Sequence, residues 1–114
     1  MDINKQNSQP NKQNESSSLG ARIRELRYQR GIGIKKLAPE LGVDYTYLSR
    51  VENEKAVPSA KLIQRLSEYF DQNKDEMMLL ADKVPKDVIE ILREHPQEAL
   101  ALLRQSFISD GNQT

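Results

Sequence analysis

Apolar residues recur along this chain at intervals of three and four positions, the spacing that places side chains on one face of an α-helix. The first such stripe comprises Leu19, Ile23 and Leu26. Gly31 and Gly33 follow it and predict the end of that helix and a tight turn. No long stretch alternates between apolar and polar residues, as a half-buried strand would. The pattern therefore predicts an all-α chain.

Six further stripes predict six more helices. Their apolar positions are Ile34, Leu37, Ala38 and Leu41; Leu48 and Val51; Leu62, Ile63, Leu66, Tyr69 and Phe70; Met77, Met78, Leu79 and Leu80; Val88, Ile89 and Leu92; and Leu100, Leu102, Leu103 and Phe107. Asp44 and Ser59 are placed to cap the third and fourth helices, and Asp75 to begin the fifth. Pro85 and Pro96 are predicted in the first turns of the last two helices.

The chain divides by composition into four parts. Residues 1–18 are rich in Asn, Gln and Ser and have only two apolar side chains, so we expect a disordered arm. Residues 19–82 hold five of the predicted helices and can close one core. Residues 83–108 form a short helical extension for dimerisation or partner docking, because two short amphipathic helices bury too little surface to stand alone. Residues 109–114 are expected to be a disordered tail.

The segment from Leu37 to Glu54 predicts a helix-turn-helix: a short helix, a tight turn centred on Gly42 and a second short helix. Ala38 must be small where the two helices cross. Gly42 is expected at positive φ, which a side chain would strain. The side chains that face the core are Val43, Leu48 and Val51. Those left on the outer face of the second helix are Tyr45, Thr46, Ser49 and Arg50, whose types can contact base edges.

These residues resemble the Cro/cI-type helix-turn-helix proteins, also called the xenobiotic-response-element family. The resemblance covers about residues 19–80. The motifs that carry it are Leu19-Gly-x-x-Ile-Arg-x-Leu-Arg, Leu37-Ala, Leu41-Gly-Val, Tyr47-Leu-Ser-Arg-Val-Glu-Asn, Pro58-Ser and the helix from Leu62 to Phe70. The resemblance implies a five-helix, lambda-repressor-like DNA-binding domain whose third helix lies in the major groove. It also implies binding to double-stranded DNA as a two-fold dimer.

The resemblance also implies roles for single residues. Base contacts are expected from Tyr45, Thr46, Ser49 and Arg50. Contacts to DNA phosphates are expected from Arg27, Gly33, Ile34, Lys35, Lys36, Tyr47, Asn53 and Lys55. Arg27 is further expected to pair with Glu52 and tie the first helix to the third. A Thr-Gln pair commonly opens the second helix in this family, whereas this chain has Gly33 and Ile34. Lys35 and Lys36, together with backbone N–H groups, would then meet the phosphate.

Several of these residues have a plainer interpretation. Arg50 could be a solvated surface arginine rather than a reader of guanine. Tyr47 could pack against the domain instead of touching the DNA backbone. Ser49 could bond back to a helix carbonyl, as Ser often does within helices. His95, the only histidine, precedes Pro96 and suits a helix end better than a catalytic role.

The net charge of zero conceals an uneven distribution. Residues 19–58 carry eight Lys or Arg against five Asp or Glu, an excess of three positive charges. Residues 59–82 have three against five and residues 83–114 four against five, so these parts are acidic by two and by one. The total charge therefore does not indicate nucleic-acid binding, but residues 19–58 are basic.

Composition excludes several classes of protein. The chain has no Cys and one His, so neither a disulfide framework nor a Cys- or His-based metal site is expected. No nucleophile has a histidine partner fixed by the sequence and no Gly-rich phosphate loop occurs, so we expect neither an enzyme nor a cofactor. The longest apolar runs have five residues, far below the roughly 18 of a membrane-spanning helix. Residues 1–18 lack the apolar core of a secretory signal, so a cytoplasmic protein is expected. With the DNA binding that the resemblance implies, it is expected to be nucleoid-associated.

Two functions fit these features. The first is a sequence-specific transcriptional regulator, a repressor that acts as a homodimer on an inverted-repeat operator. The second is an antitoxin or adaptor whose C-terminal helices bind a partner protein, such as a toxin or a peptidase, and whose DNA binding is autoregulatory.

Overall fold

The computed structural model describes residues 18–108, and this part of the chain is helical without any strand. The helices are α1 (Leu19–Arg30), α2 (Ile34–Glu40), α3 (Tyr45–Glu52), α4 (Ala60–Tyr69), α5 (Lys74–Leu80), α6 (Lys86–Glu94) and α7 (Pro96–Phe107). The all-α prediction is confirmed. The predicted disordered arm, apart from Ser18, and the predicted tail at 109–114 lie outside the described residues.

The helix starts follow the predicted caps in part. Ser59 Oγ accepts a hydrogen bond from the Leu62 N–H at 3.1 Å and caps α4 as predicted. Asp44 occupies the N-cap position of α3, but its side chain makes no capping hydrogen bond. The prediction that Asp75 begins α5 is wrong by one residue, because the Asn73 side chain caps the first turn and α5 starts directly after it.

Two glycines allow the sharp turns around α2. Gly31 ends α1 with φ of 62°, and Gly42 follows α2 with φ of 70°, the positive value predicted for it. A Cβ on Gly42 would also lie 2.7 Å from Nη1 of Arg65. That same Nη1 donates a hydrogen bond to the carbonyl of Leu41 at 3.0 Å. Glycine is therefore required at position 42 by its backbone conformation, and a side chain there would also force the Arg65 guanidinium to shift.

Helices α1 to α5 share one hydrophobic core. Its buried members are Leu19, Ile23, Leu26, Leu37, Ala38, Leu41, Leu48, Val51, Leu62, Ile63, Leu66, Phe70 and Met77. Full burial of each large aliphatic side chain contributes about 1.5–3 kcal/mol relative to exposure. Because Leu48 and Val51 belong to this set, the core fixes α3 by one face and leaves its other face in water.

The chain separates into two compact units between Lys83 and Val84. The second unit consists of α6 and α7, with His95 at the junction and Pro96 in the first turn of α7 as predicted. Pro85 precedes α6 at its N-cap position rather than lying within its first turn. No residue of 84–108 is buried. Among the helices of residues 18–108, none is long and apolar enough to cross a membrane.

Candidate nucleic-acid interface

Helix α3 has one buried and one exposed face. Leu48 and Val51 are buried, and Val43, just before the helix, packs against the same core. The predicted base-reading residues lie on the other side: Tyr45, Thr46 and Arg50 are exposed, and Ser49 is partly buried. The structure thus presents these four polar side chains on one short helix whose apolar side is anchored.

The turn before α3 is fixed by backbone hydrogen bonds. The N–H of Val43 donates to the carbonyl of Ala38 and the N–H of Gly42 to that of Pro39, both at 3.0 Å. Ala38 is buried at the contact between α2 and α3, where the sequence required a small side chain. Since this turn has little freedom, α2 and α3 present their exposed residues in a fixed relation.

An ion pair joins α1 to the end of α3. Nε of Arg27 donates to Oε2 of Glu52 at 2.6 Å, and Nη2 donates to Oε1 at 2.9 Å. The third guanidinium nitrogen, Nη1, donates to the carbonyl of Ile32 at 3.2 Å. The side chains of Glu52 and Arg27 are only 3% and 12% exposed. The hydrogen bond to Glu52 raises the pKa of Arg27 above its ordinary value. With all three nitrogens engaged internally, this geometry favours the structural role of Arg27 over the phosphate contact.

Arg24 is a candidate that the sequence analysis did not single out. Its Nη2 donates to Oδ1 of Asn53 at 3.1 Å, and its Nε lies 3.4 Å from a carboxylate oxygen of Glu52. Asn53 in turn donates through Nδ2 to the carbonyl of Ser49 at 2.9 Å. The Arg24 side chain remains 40% exposed, so it presents positive charge beside the end of α3. Its position three residues before Arg27, on the same helix face, was the available signal.

Tyr47 connects α3 to the loop that follows it. Its hydroxyl donates to the carbonyl of Val57 and accepts from the N–H of Ser59, each at 3.1 Å. Its ring is partly buried against the core. The hydroxyl therefore has a donor and an acceptor within the protein, which favours the packing interpretation of Tyr47 over a contact with the DNA backbone.

The start of α2 lies beside the start of α3. Gly33 occupies the N-cap position of α2 without a side chain to offer, and the Ile34 side chain packs against the core. Only the backbone of these two residues is left for a phosphate. Lys35 and Lys36 are exposed, and Nζ of Lys35 lies 5.2 Å from the centroid of the Tyr45 ring. Lys35, which is predicted to contact a phosphate, and Tyr45, which is predicted to contact a base, are thus in contact with each other in the protein without DNA.

The loop after α3 bends back to the start of α1. Glu54 adopts a positive φ of 61°, and its Oε2 accepts a hydrogen bond from the N–H of Gly20 at 3.1 Å. A Cβ on Gly20 would overlap the carbonyl of Glu52, so glycine permits this close approach of α1. Lys55 follows in the loop and is exposed. The sequence motif contained Gly20, but only the structure shows why a side chain cannot be placed there.

Positive charge is exposed along the two helices of the motif and the loop behind them. The exposed cations there are Lys35, Lys36, Arg50 and Lys55. Within residues 18–108, no group of three or more His, Cys, Asp or Glu side chains could hold a metal ion. The chemistry that this surface offers is hydrogen bonding and attraction to a polyanion.

Comparisons with known proteins agree with this geometry. A family model described as "Helix-turn-helix domain" matches residues 20–83. The chain is also 34% identical over 53 residues to the "ImmF control region 10 kDa protein" of Bacillus phage phi105. That match covers 46% of this chain and 59% of the phage protein, so it spans about three-fifths of the relative's length. No solved structure gives a significant match.

Proposed function

This chain belongs to the Cro/cI-type, or xenobiotic-response-element-type, helix-turn-helix family, and from that membership we propose that it is a transcriptional repressor acting as a homodimer on an inverted-repeat operator. The family consists of DNA-binding regulators, and the phage relative is named for a control region. The observation that carries the proposal is the two-sided α3. Leu48 and Val51 anchor it in the core, while Tyr45 and Arg50 are exposed on its other face.

In the proposed complex α3 lies in the major groove. Tyr45, Thr46, Ser49 and Arg50 then face base edges, and Arg50 has the geometry to bind O6 and N7 of a guanine. Lys35, Lys36 and Lys55 flank α3 and supply phosphate contacts, with the backbone N–H groups at the start of α2. Arg24 adds a phosphate contact from α1. This division assigns sequence preference to α3 and most of the binding strength to its neighbours.

Repression then follows from occlusion. A two-fold dimer places two α3 helices in successive major grooves, about 34 Å apart, and covers one face of a promoter. The operator symmetry mirrors that of the dimer, which is why an inverted repeat is proposed. The protein acts in the cytoplasm, on the DNA of the nucleoid.

The unit of α6 and α7 is proposed as the dimer contact. Its exposed apolar side chains are Val88, Ile91, Leu100, Leu102, Leu103 and Phe107. Clusters of that kind mark interaction surfaces on soluble proteins. The charges around them are mixed, three basic against four acidic between residues 86 and 104, so no strong field opposes pairing with a second copy. Pairing of two such units would give both helices the buried core that neither has in one chain.

An alternative use of the same unit is the adaptor or antitoxin function. Phe107 is 82% exposed, so most of its apolar surface is open to a partner. That partner could be a toxin or a peptidase instead of a second copy of this chain. In that case the chain would bind DNA weakly alone and more tightly with its partner, since the partner would supply the pairing.

The proposal is tested by selecting duplexes from a random pool with the full chain and sequencing those that are retained. We expect an enriched inverted repeat with half-sites about one helical turn apart and a stoichiometry of two chains per duplex. Lys74→Ala serves as the control variant, because Lys74 is an exposed lysine at the start of α5, outside both the proposed DNA contacts and the proposed dimer contact. Retention of random sequences without enrichment would contradict sequence-specific regulation.

A further inference from the structure

The ammonium of Lys35 lies over the Tyr45 ring, with Nζ 5.2 Å from the ring centroid. An ammonium within about 6 Å of an aromatic face is attracted by the ring quadrupole. Lys36, the next residue, is exposed on the same short helix and contacts no aromatic ring in the described part of the chain. The two neighbouring lysines therefore differ in their contact with an aromatic ring, and Lys36 can serve as the control for Lys35.

Within residues 18–108, the Tyr45 side chain makes no hydrogen bond, and the Lys35 ammonium is its one ring contact. Tyr45 is the first residue of α3 and its side chain is 45% exposed, at the edge of the helix proposed to enter the groove. A free aromatic side chain at such a site loses rotamer freedom when it meets DNA, and that loss weakens binding. A ring already held by Lys35 loses less. One ring face is turned toward the ammonium, and since nearly half of Tyr45 is exposed, part of the ring remains for a ligand.

The same ammonium is placed to meet a phosphate. Gly33 and Ile34 have no polar side chain, so Lys35 is the first residue at the start of α2 whose side chain can bind a phosphate. An ammonium has three N–H donors and can bind a phosphate oxygen while it stays near a ring. DNA binding then does not require the Lys35 ammonium to leave the Tyr45 ring.

The ring surface points to one base. The C5-methyl of thymine is the apolar group that a base pair displays in the major groove, and an apolar side-chain surface is its complement. We propose that Lys35 is a positioning residue that sets the Tyr45 ring against the methyl group of a thymine in each half-site. This inference rests on the proposed function, since it requires α3 to read the major groove.

The free protein gives the first test. A ring face shields nearby protons, so the ε-methylene protons of Lys35 should resonate upfield of those of Lys36 in the NMR spectrum. The Tyr45→Leu variant should remove that difference. Equal shifts for the two lysines in the wild-type chain would overturn the inference without any bearing on DNA binding.

The second test removes only the methyl group. In the operator selected by the full chain, each thymine of a half-site is replaced in turn by uracil, and affinity is measured by fluorescence anisotropy. We expect one thymine per half-site whose replacement weakens binding by about fourfold, the equivalent of one methyl group taken out of contact. Tyr45→Ala should be insensitive to that replacement, and Tyr45→Phe should keep the sensitivity because it keeps the ring.

Lysine variants isolate the positioning step. Lys35→Met should reduce the uracil effect at that thymine, and Lys35→Arg, which also places a cation over the ring, should restore it. Lys36→Met should weaken binding to every sequence yet leave the uracil effect unchanged. An undiminished uracil effect in Lys35→Met, or in Tyr45→Ala, would overturn the inference while leaving sequence-specific binding in place. Failure of the selection to enrich any operator would instead count against the proposed function.

Discussion

The carboxylate of Glu52, the last residue of α3, receives both Nε and Nη2 of Arg27 from α1. This pair decides the position of the C-terminal end of α3, as the burial of Leu48 and Val51 decides the position of its middle. Binding groups must be held to within about 0.5 Å of their productive geometry, so two independent anchors on an eight-residue helix have a direct bearing on base readout.

Breaking this ion pair from one side should destabilise the fold. Arg27→Met leaves a carboxylate that is 3% exposed without its main partner, and Glu52→Gln leaves a guanidinium turned inward. Removal of one member of a buried pair costs about 3–5 kcal/mol, against about 0–1 kcal/mol for an exposed pair. Urea unfolding of both single variants and of the double variant measures the coupling. Strictly additive losses would show that the two side chains do not depend on each other.

Salt should weaken DNA binding steeply even though the net charge of the chain is zero. The cations near α3 would displace condensed counterions from the duplex, and the logarithm of the binding constant falls with the logarithm of salt concentration by about 0.9 per phosphate neutralised. Affinities measured on one operator across a series of salt concentrations give the slope. A flat response would contradict phosphate anchoring.

Base readout and phosphate anchoring should separate in two variants. Arg50→Ala removes a side chain proposed to bind guanine, so operator affinity should fall by about 1–3 kcal/mol and preference at one base position should relax. Lys55→Ala removes a proposed phosphate contact, so affinity for operator and random duplexes should fall equally. Titrations of both variants on both duplexes distinguish these effects. If Arg50→Ala bound the operator as well as the wild-type chain, the face assigned to readout would be wrong.

A charge on the exposed face of α7 should prevent dimerisation without unfolding the chain. Phe107 is 82% exposed in the single chain, so Phe107→Asp removes little folding stability, yet it places a carboxylate where the proposed interface is apolar. We expect the dimer dissociation constant to rise at least about tenfold, equal to roughly 1.4 kcal/mol, in sedimentation experiments.

Gln105→Asp is the matched control, because it adds the same charge to the same exposed turn at a polar position. It should leave the association unchanged. A Phe107→Asp chain that still dimerised would shift the proposal for α6 and α7 toward a different protein partner.

A methyl group at position 42 should be poorly tolerated. Gly42→Ala would force an alanine into φ of 70° and bring its Cβ to 2.7 Å from the Arg65 guanidinium. A strained backbone of this kind costs on the order of 1–3 kcal/mol. Thermal unfolding measures the loss, and Arg65→Ala in the same background separates the two causes: recovery of part of the stability would identify the clash, and no recovery would identify the backbone strain.

The arrangement of helices was largely predictable from the chain because it depends on local rules. Apolar spacing, the cap at Ser59, the first-turn position of Pro96 and the positive φ of Gly42 each reflect the chemistry of a few neighbouring residues. The predicted start of α5 at Asp75 was one residue late, because the cap that Asn73 provides was not considered in the prediction.

The partners of individual side chains could not be read from spacing. Arg24 and Asn53 are 29 positions apart, Tyr47 and Ser59 are 12 apart, and each pair meets only because α1, α3 and the following loop pack on one core. Lys35 and Tyr45 carry no signal of contact in a linear sequence either. Periodicity predicted which face of α3 is exposed to solvent, but it did not predict which side chains of other elements contact that helix.

The sequence by itself determined that the chain is helical, that Leu37 to Glu54 forms a helix-turn-helix and that four polar residues of its second helix avoid the core. Periodicity carries this information, because burial of one face acts on every third or fourth residue. The family resemblance had implied the pairing of Arg27 with Glu52. The tertiary structure alone decided that the Tyr47 hydroxyl is engaged within the protein, that Arg24 stays partly exposed and that Lys35 lies over the Tyr45 ring. Those relations depend on distances of a few ångströms between residues far apart in the chain, and such distances are set only when the helices pack.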